Sequence, residues 1–285
     1  MRRILQVELD ENYFDQFGEA FFKSFYYYNK RWDLHITDLG LSSAQRKLLS
    51  RYGEIHSRPR DCYRRYGQLS ARVATWAEIV KDDDLILHMD VDGVVLDSFE
   101  AEVQEFVKDE YDISGCTWNL PLRDAARYSK GANEMLGVTD DDIFTDRSRI
   151  HAGWLLLRGN SQMHDALCWL RDNWEQYSIY TTEEESALSS IVYHRKLKLK
   201  GNMIVDCPKL NPESGCTAAI LPSLQPPNRI DNGRSRFIHF AICKYFMTNA
   251  AGGETRECYL AWCDNLLQPY KELPWPEPGD VCESR

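Results

Sequence analysis

The stretch Leu85-Ile86-Leu87-His88-Met89-Asp90-Val91-Asp92-Gly93 decides how the rest of the chain is read. Leu85 to Met89 is the most apolar short run in the sequence, and such a run bounded by turn residues reads as a buried strand. It leads straight into two carboxylates one residue apart. Alternate residues of an extended segment point the same way, so both side chains can reach one point at the strand end. Two anions that close repel each other unless a cation lies between them. A divalent ion holding phosphate oxygens is the natural partner. The alternative is that Asp90 and Asp92 merely end the strand and accept backbone N–H groups, as Asx turns do.

Upstream of this stretch, strand and helix patterns alternate. Ile4-Leu5-Gln6-Val7 reads as a strand, and Phe14, Phe17, Phe21, Phe25 and Tyr28 follow as a core-facing stripe at helical spacing. Leu34 to Thr37 reads as a second strand, and Ser42 or Ser43 can cap a helix through Leu48 and Leu49. Glu54-Ile55-His56 is a short third strand, and Leu69, Val73, Trp76 and Val80 share one helix face before the solvated Asp82-Asp83-Asp84 loop. Three strand–helix units therefore precede Asp90.

Downstream, Val103, Phe106, Val107 and Tyr111 mark a helix, and Ile113 to Cys116 a strand. Ile150 to Leu157 reads as a strand with Gly153 inside it. Met163, Leu167, Leu170, Trp174 and Tyr177 form an amphipathic helix, residues 183–194 another, and Phe237 to Phe240 a late strand. Pro208, Pro212, Pro222, Pro226 and Pro227 punctuate a loop-rich stretch, and Pro274 to Pro278 an extended tail. The alternation predicts an α/β fold, a mostly parallel sheet with helices on both faces. Ligands of such sheets collect at the carboxyl ends of the strands. With no internal repeat and no linker, residues 1–247 read as one domain and 248–285 as a tail packing on it or extending from it.

Composition narrows the function classes. The 285 residues carry a net charge of −10, with 43% hydrophobic and 12% aromatic residues, which excludes a disordered chain. An acidic chain lacks the clustered Lys and Arg that nucleic-acid or anionic-membrane binding needs. The nine cysteines include no C-x-x-C pair, which argues against a cysteine zinc site and for a reducing compartment. No apolar run reaches the ~20 residues of a membrane span. The N-terminus meets Glu8 and Asp10 too soon for a signal peptide. A cytoplasmic protein is the expectation.

Two families share the local pattern at Asp90. Asp90-Val91-Asp92-Gly93-Val94-Val95-Leu96-Asp97-Ser98 resembles the first motif of haloacid-dehalogenase-type phosphatases, which implies Asp90 as a phosphorylated nucleophile and Asp92 as a general acid. Ser114, Lys130 and Asp140-Asp141-Asp142 would supply the later motifs. The same stretch resembles the D-x-D motif of GT-A glycosyltransferases, and family 8 among them is similar at further points. Asp10-Glu11-Asn12-Tyr13 resembles that family's D-x-N-Y start, where the Asp bonds a uracil and the Tyr stacks on it. Arg72 lies 18 residues before Asp90, similar in placement to the donor-binding Arg. Arg149 to Leu157 resembles the N-[AS]-G-V-L-L-I strand, with His151 in place of Asn and Gly153 admitting the sugar. Thr182 to Leu188 stands where the family has D-Q-D-x-L-N, and Phe237-Ile238-His239-Phe240 resembles its I-I-H-F/Y segment. The phosphatase motif belongs after a first strand, whereas the transferase resemblance gives both flanks of Asp90 a task.

The resemblance implies transfer of a sugar from a nucleotide-diphosphate donor, UDP-linked, to a hydroxyl of a glycan-like acceptor. Asp90, Asp92 and His239 would ligate Mn²⁺, with Mg²⁺ the alternative; imidazole among the ligands favours the softer ion. Asp90, Val91 and Asp92 would face the donor, Asp10 and Tyr13 its base, and Arg72 and Gly153 its sugar and phosphate. Lys244 would neutralise the diphosphate, and Glu184 or Glu185 would serve as general base. A non-catalytic module binding nucleotide sugars or glycans is the remaining alternative.

Overall fold

The structure is a computed structural model and describes residues 1–58, 67–121, 148–177, 184–202, 205–206, 236–239, 264–265 and 267–281. Its strands are β1 (Arg3–Leu9), β2 (Asp33–Asp38), β3 (Gly53–Ser57), β4 (Leu85–Met89), β5 (Gly93–Val95), β6 (Ile113–Pro121), β7 (Ser148–Arg158), β8 (Leu199–Asn202), β9 (Val205–Asp206) and β10 (Phe237–His239). The helices are α1 (Glu11–Tyr13), a π-turn over Phe14–Gly18, α2 (Glu19–Tyr28), α3 (Ser43–Leu49), α4 (Gly67–Ile79), α5 (Glu100–Lys108), α6 (Ser161–Tyr177), α7 (Glu184–His194) and α8 (Pro278–Val281). The chain divides into two compact units, each assembled from three separated segments.

The first unit takes Met1–Glu11, Trp32–Met89 and Ala101–Asn202. Its seven strands run in the order β3-β2-β1-β4-β7-β6-β8. β1 pairs in parallel with both β2 and β4, β2 with β3, and β6 with β8. β7 runs antiparallel to β4 and to β6, so the sheet is mixed but mostly parallel. The continuous apolar runs of β1 and β4 are what a sheet covered on both faces requires. Ile4, Ile86, Leu155 and Leu157 from the strands pack with Trp76 of α4, Leu167 of α6 and Ile191 of α7 in one core. Each such side chain contributes about 1.5–3 kcal/mol on full burial.

Two polar residues interrupt these apolar strands for a structural reason. Gln6 Oε1 accepts from Trp76 Nε1 at 2.8 Å and contacts His88 Nδ1. Gln6 Nε2 donates to Thr37 Oγ1 at 2.9 Å. Buried polar groups are tolerated when they satisfy one another in this way. The α3 start is as expected: the Ser42 hydroxyl accepts from Gln45 N, and Gln45 Oε1 accepts from Ser42 N, a reciprocal capping box. α5 is shorter than its spacing predicts. It ends at Lys108 because Glu110 takes φ 55, and Tyr111 instead stacks on Phe106.

The second unit takes Asn12–Arg31, Asp90–Glu100 and Met203–Arg285. It holds a three-stranded sheet in the order β5-β10-β9. The aromatic stripe forms its platform: Phe21 meets Phe237 edge-on at 6.3 Å, and Phe25 lies against Phe99 at 6.4 Å. The C-terminal residues also pack here. Trp275 lies 6.5 Å from Phe22 and under the Lys23 ammonium, while Lys23 Nζ donates to the Lys271 carbonyl at 2.7 Å. The proline-punctuated stretch from Pro208 to Pro227 lies outside the described residues.

A candidate metal centre of two carboxylates and an imidazole

Asp90 follows the last residue of β4, and Asp92 precedes the first residue of β5. β5 pairs antiparallel with β10, in the register Phe237 to Val95, Ile238 to Val94 and His239 to Gly93. That register carries His239, 147 residues away in sequence, to the strand position beside Asp92. His239 Nε2 lies 3.1 Å from Asp92 Oδ1 and 3.3 Å from Asp90 Oδ2. One donor atom from each of the three residues lies within 4.8 Å of the others. Asp92 and His239 are buried, and the Asp90 side chain is 16% exposed, so the cluster opens to solvent on one side.

The chemistry of this donor set fits a divalent ion. Ligands about 2.1 Å from an octahedral centre sit roughly 3 Å apart, close to the separations seen here. A dication between them would offset the mutual repulsion of the two carboxylates. Among the described residues this is one of two such groupings of His, Asp and Glu; the other is His35, Glu54 and His56.

Several residues to which the sequence reading gave no role of their own hold the cluster in place. A Cβ on Gly93 would stand 2.3 Å from the Ile238 carbonyl and 2.5 Å from the Phe237 ring, so only glycine lets β10 approach this closely. Phe237 stacks on the His239 ring at 5.8 Å and 15°. Ser24 Oγ accepts from Val95 N, and Asn29 Oδ1 from Phe99 N, which pins the chain leaving β5 to α2 and its C-terminus. Arg236 closes an ion pair on Asp97.

The other sequence-predicted positions are distributed as follows. Asp10 follows β1 and is half-buried. Its turn is held by the loop after β2, where Gly40 O accepts from Glu11 N at 3.2 Å, and by α3, whose Gln45 Nε2 donates to Glu11 O at 3.3 Å. Asp38 shapes that loop by accepting from Gly40 N and Leu41 N. Tyr13 closes α1, with its ring 5.8 Å from Phe17. Arg72 is buried on α4, and its Nε and Nη2 donate to Glu8 Oε1 at 3.1 and 2.5 Å. Val91 is buried.

Gly153 is a buried residue of β7. Gly115 pairs with Leu155 and Thr117 with Ile150, so residues 151–154 fall where the β6–β7 ladder shifts register. Glu184 and Glu185 are the first two residues of α7. Lys244 lies outside the described residues, as do Lys130 and the Asp140-Asp141-Asp142 cluster of the phosphatase alternative. No described helix is long and apolar enough to cross a membrane.

No family model matches the sequence, and no curated protein matches it. Solved structures do match. The chain is similar to the galactosyltransferase LgtC, solved with donor and acceptor sugar analogs, at 14% identity and a TM-score of 0.56, covering 96% of this chain and 98% of that one. It is similar to the bifunctional glycosyltransferase WbbM at 13% identity and a TM-score of 0.57, covering 99% of this chain and 52% of that one. It is similar to the glycosyltransferase GlyE of Streptococcus pneumoniae at 16% identity and a TM-score of 0.52, covering 96% of this chain and 61% of that one. At these identities the likeness is one of fold. The mostly parallel α/β architecture expected from the sequence is the GT-A fold that these proteins share.

Proposed function

We propose that this chain is a metal-dependent glycosyltransferase that moves a sugar from a UDP-linked donor to a hydroxyl of a glycan-like acceptor. The observation that carries the reading is the convergence of Asp90, Asp92 and His239 within 3.3 Å contacts, in a chain with the GT-A fold. LgtC was solved with donor and acceptor sugar analogs, and that pairing of ligand types is the one proposed here. The ion, Mn²⁺ in this reading, would be held by these three side chains, and when bound it offsets the charge of a leaving diphosphate.

The remaining roles belong to the chain itself. The Asp10 carboxylate accepts the imino N–H of the base, and the Tyr13 ring covers the base's face. Arg72 reads donor hydroxyls and phosphate. Glu8 grips the Nε and Nη2 of its guanidinium, which fixes the plane of the group. Gly153 admits the sugar against backbone, and Lys244 adds positive charge at the diphosphate. Glu184 or Glu185 takes the proton of the acceptor hydroxyl, which makes transfer inverting; without either, the family-8 resemblance implies retention.

The test is incubation with Mn²⁺ and a panel of nucleotide sugars, followed by assay of free nucleotide. Release of UDP that disappears in Asp92→Asn supports the transferase. Saturable donor binding without turnover in the native protein identifies a binding module instead. An acid-labile phosphate on Asp90 after exposure to phosphomonoesters identifies a phosphatase.

A further inference from the structure

β3 forms one edge of the seven-stranded sheet, and its side chains build a second donor cluster there. In the parallel β2–β3 ladder His35 pairs with Glu54 and Thr37 with His56. Residues in register, and residues two apart on one strand, share a face, so His35, Glu54 and His56 project from the same side of the sheet. His35 Nδ1 lies 2.9 Å from His56 Nε2 and 3.9 Å from Glu54 Oε2, and the two rings stack at 5.2 Å and 17°. His35 is buried, His56 half-buried and Glu54 exposed, which gives the cluster a route from solvent.

The protonation of this group follows from its neighbour. Arg2 Nη2 lies 2.7 Å from His35 Nε2. A guanidinium only donates, so His35 Nε2 accepts, the ring is neutral, and its one proton sits on Nδ1 facing His56. Arg2 is anchored separately through Nε to Asp33 Oδ2 at 2.6 Å. Two imidazoles and one carboxylate are a borderline donor set of the kind that zinc takes with water in its open positions. Such a set holds Zn²⁺ more tightly than Mn²⁺.

We propose that His35, Glu54 and His56 form a Zn²⁺ site, distinct from the Asp90 cluster, that clasps edge strand β3 to β2. His35 Nδ1, His56 Nε2 and a Glu54 oxygen ligate the ion. The His35 proton moves from Nδ1 to Nε2, and Arg2 Nη2, now facing an N–H, leaves the ring while its Nε remains on Asp33. No cysteine takes part. The site stands apart from the transferase reading, so either can fail without the other.

Equilibrium dialysis of the full chain against Zn²⁺ tests this. The Asp92→Asn/His239→Ala double variant, which lacks two of the other cluster's three ligands, keeps one equivalent of zinc, and adding His56→Ala abolishes it. Glu54→Gln changes only an exposed side chain and removes one equivalent of zinc from the otherwise native chain. Arg2→Met, by removing the competing donor, lowers the zinc dissociation constant. A double variant with native circular dichroism that binds no zinc overturns the site. So does zinc binding that Glu54→Gln and His56→Ala leave unchanged. Unchanged affinity in Arg2→Met overturns the assignment of His35 Nδ1 as the ligand.

Discussion

Asp92 is the residue on which the proposed chemistry turns, because it is buried and its Oδ1 lies 3.1 Å from His239 Nε2. Replacing even an outer-shell partner of a metal ligand typically costs 10–100-fold in metal affinity or activity. Asp92→Asn is therefore expected to lower Mn²⁺ affinity and nucleotide release by at least about 100-fold, read by calorimetry and by the donor assay; a change below tenfold contradicts its role. Asp84 shows a charge with the opposite balance. Burial raises its carboxyl pKa, against the opposing pull of Arg2 and Lys81, and its Oδ2 is buried without a hydrogen bond. A carboxyl whose pKa is higher in the folded state favours folding below the ordinary value and loses that contribution as pH rises through the folded one. Asp84→Asn should thus raise the melting temperature at pH ~7, with the gain shrinking towards pH ~4. A variant no more stable than the parent at neutral pH refutes this. The two cases also show what single residues disclose. Asp90, Asp92 and His239 were legible because few chemistries use a D-x-D at a strand end and a distant I-H-F together. Glu8 and Asp84 were not, because burial is what gives a carboxylate its meaning and burial is not written at one position.

At the scale of elements, what positions the metal cluster is a register. β5 is three residues long, and its pairing with β10 alone decides that His239 falls beside Asp92. Gly93→Ala places a methyl group 2.3 Å from the Ile238 carbonyl and must push β10 outward. The expected result is a large loss of Mn²⁺ affinity with helix content unchanged, measured by calorimetry beside circular dichroism; full affinity would mean that β10 moves without carrying His239 away. α3 offers a simpler case. Ser42→Ala removes the reciprocal cap with Gln45 and should cost about 1 kcal/mol in urea denaturation. The strands and most helices were readable from periodicity and caps. The π-turn at Phe14–Gly18, the early end of α5 at Glu110 and the pairing of Gly93 with His239 were not, since each depends on contacts distant in sequence. The grouping of His35 with Glu54 and His56 escaped for the same reason: two short strands each looked ordinary until their register set them side by side.

For the molecule as a whole, the alternation of strands and helices announced an α/β sheet, but not its division into two compact units, each drawn from three separated segments. Contiguity in sequence hid that division: residues 12–31 interrupt the first unit, and residues 90–100 join a strand that arrives almost 150 residues later. This arrangement makes the metal a structural element as well as a chemical one. In the second unit an ion on Asp90, Asp92 and His239 would tie the Asp90–Glu100 segment to the Met203–Arg285 segment. A ligand present at 100 times its dissociation constant stabilises the state that binds it by about 2.7 kcal/mol, or roughly 100-fold in the opening equilibrium. Amide hydrogen exchange should therefore slow on adding Mn²⁺ in β5 and β10, by up to that factor where exchange requires the unit to open. The amides of β1 to β4, in the other unit, should not respond. Zn²⁺ should add protection in β2 and β3, because the cluster at that edge prefers it. Uniform slowing throughout the chain under Mn²⁺ would show that the ion acts elsewhere, and no slowing in β10 would remove His239 from the ligand set.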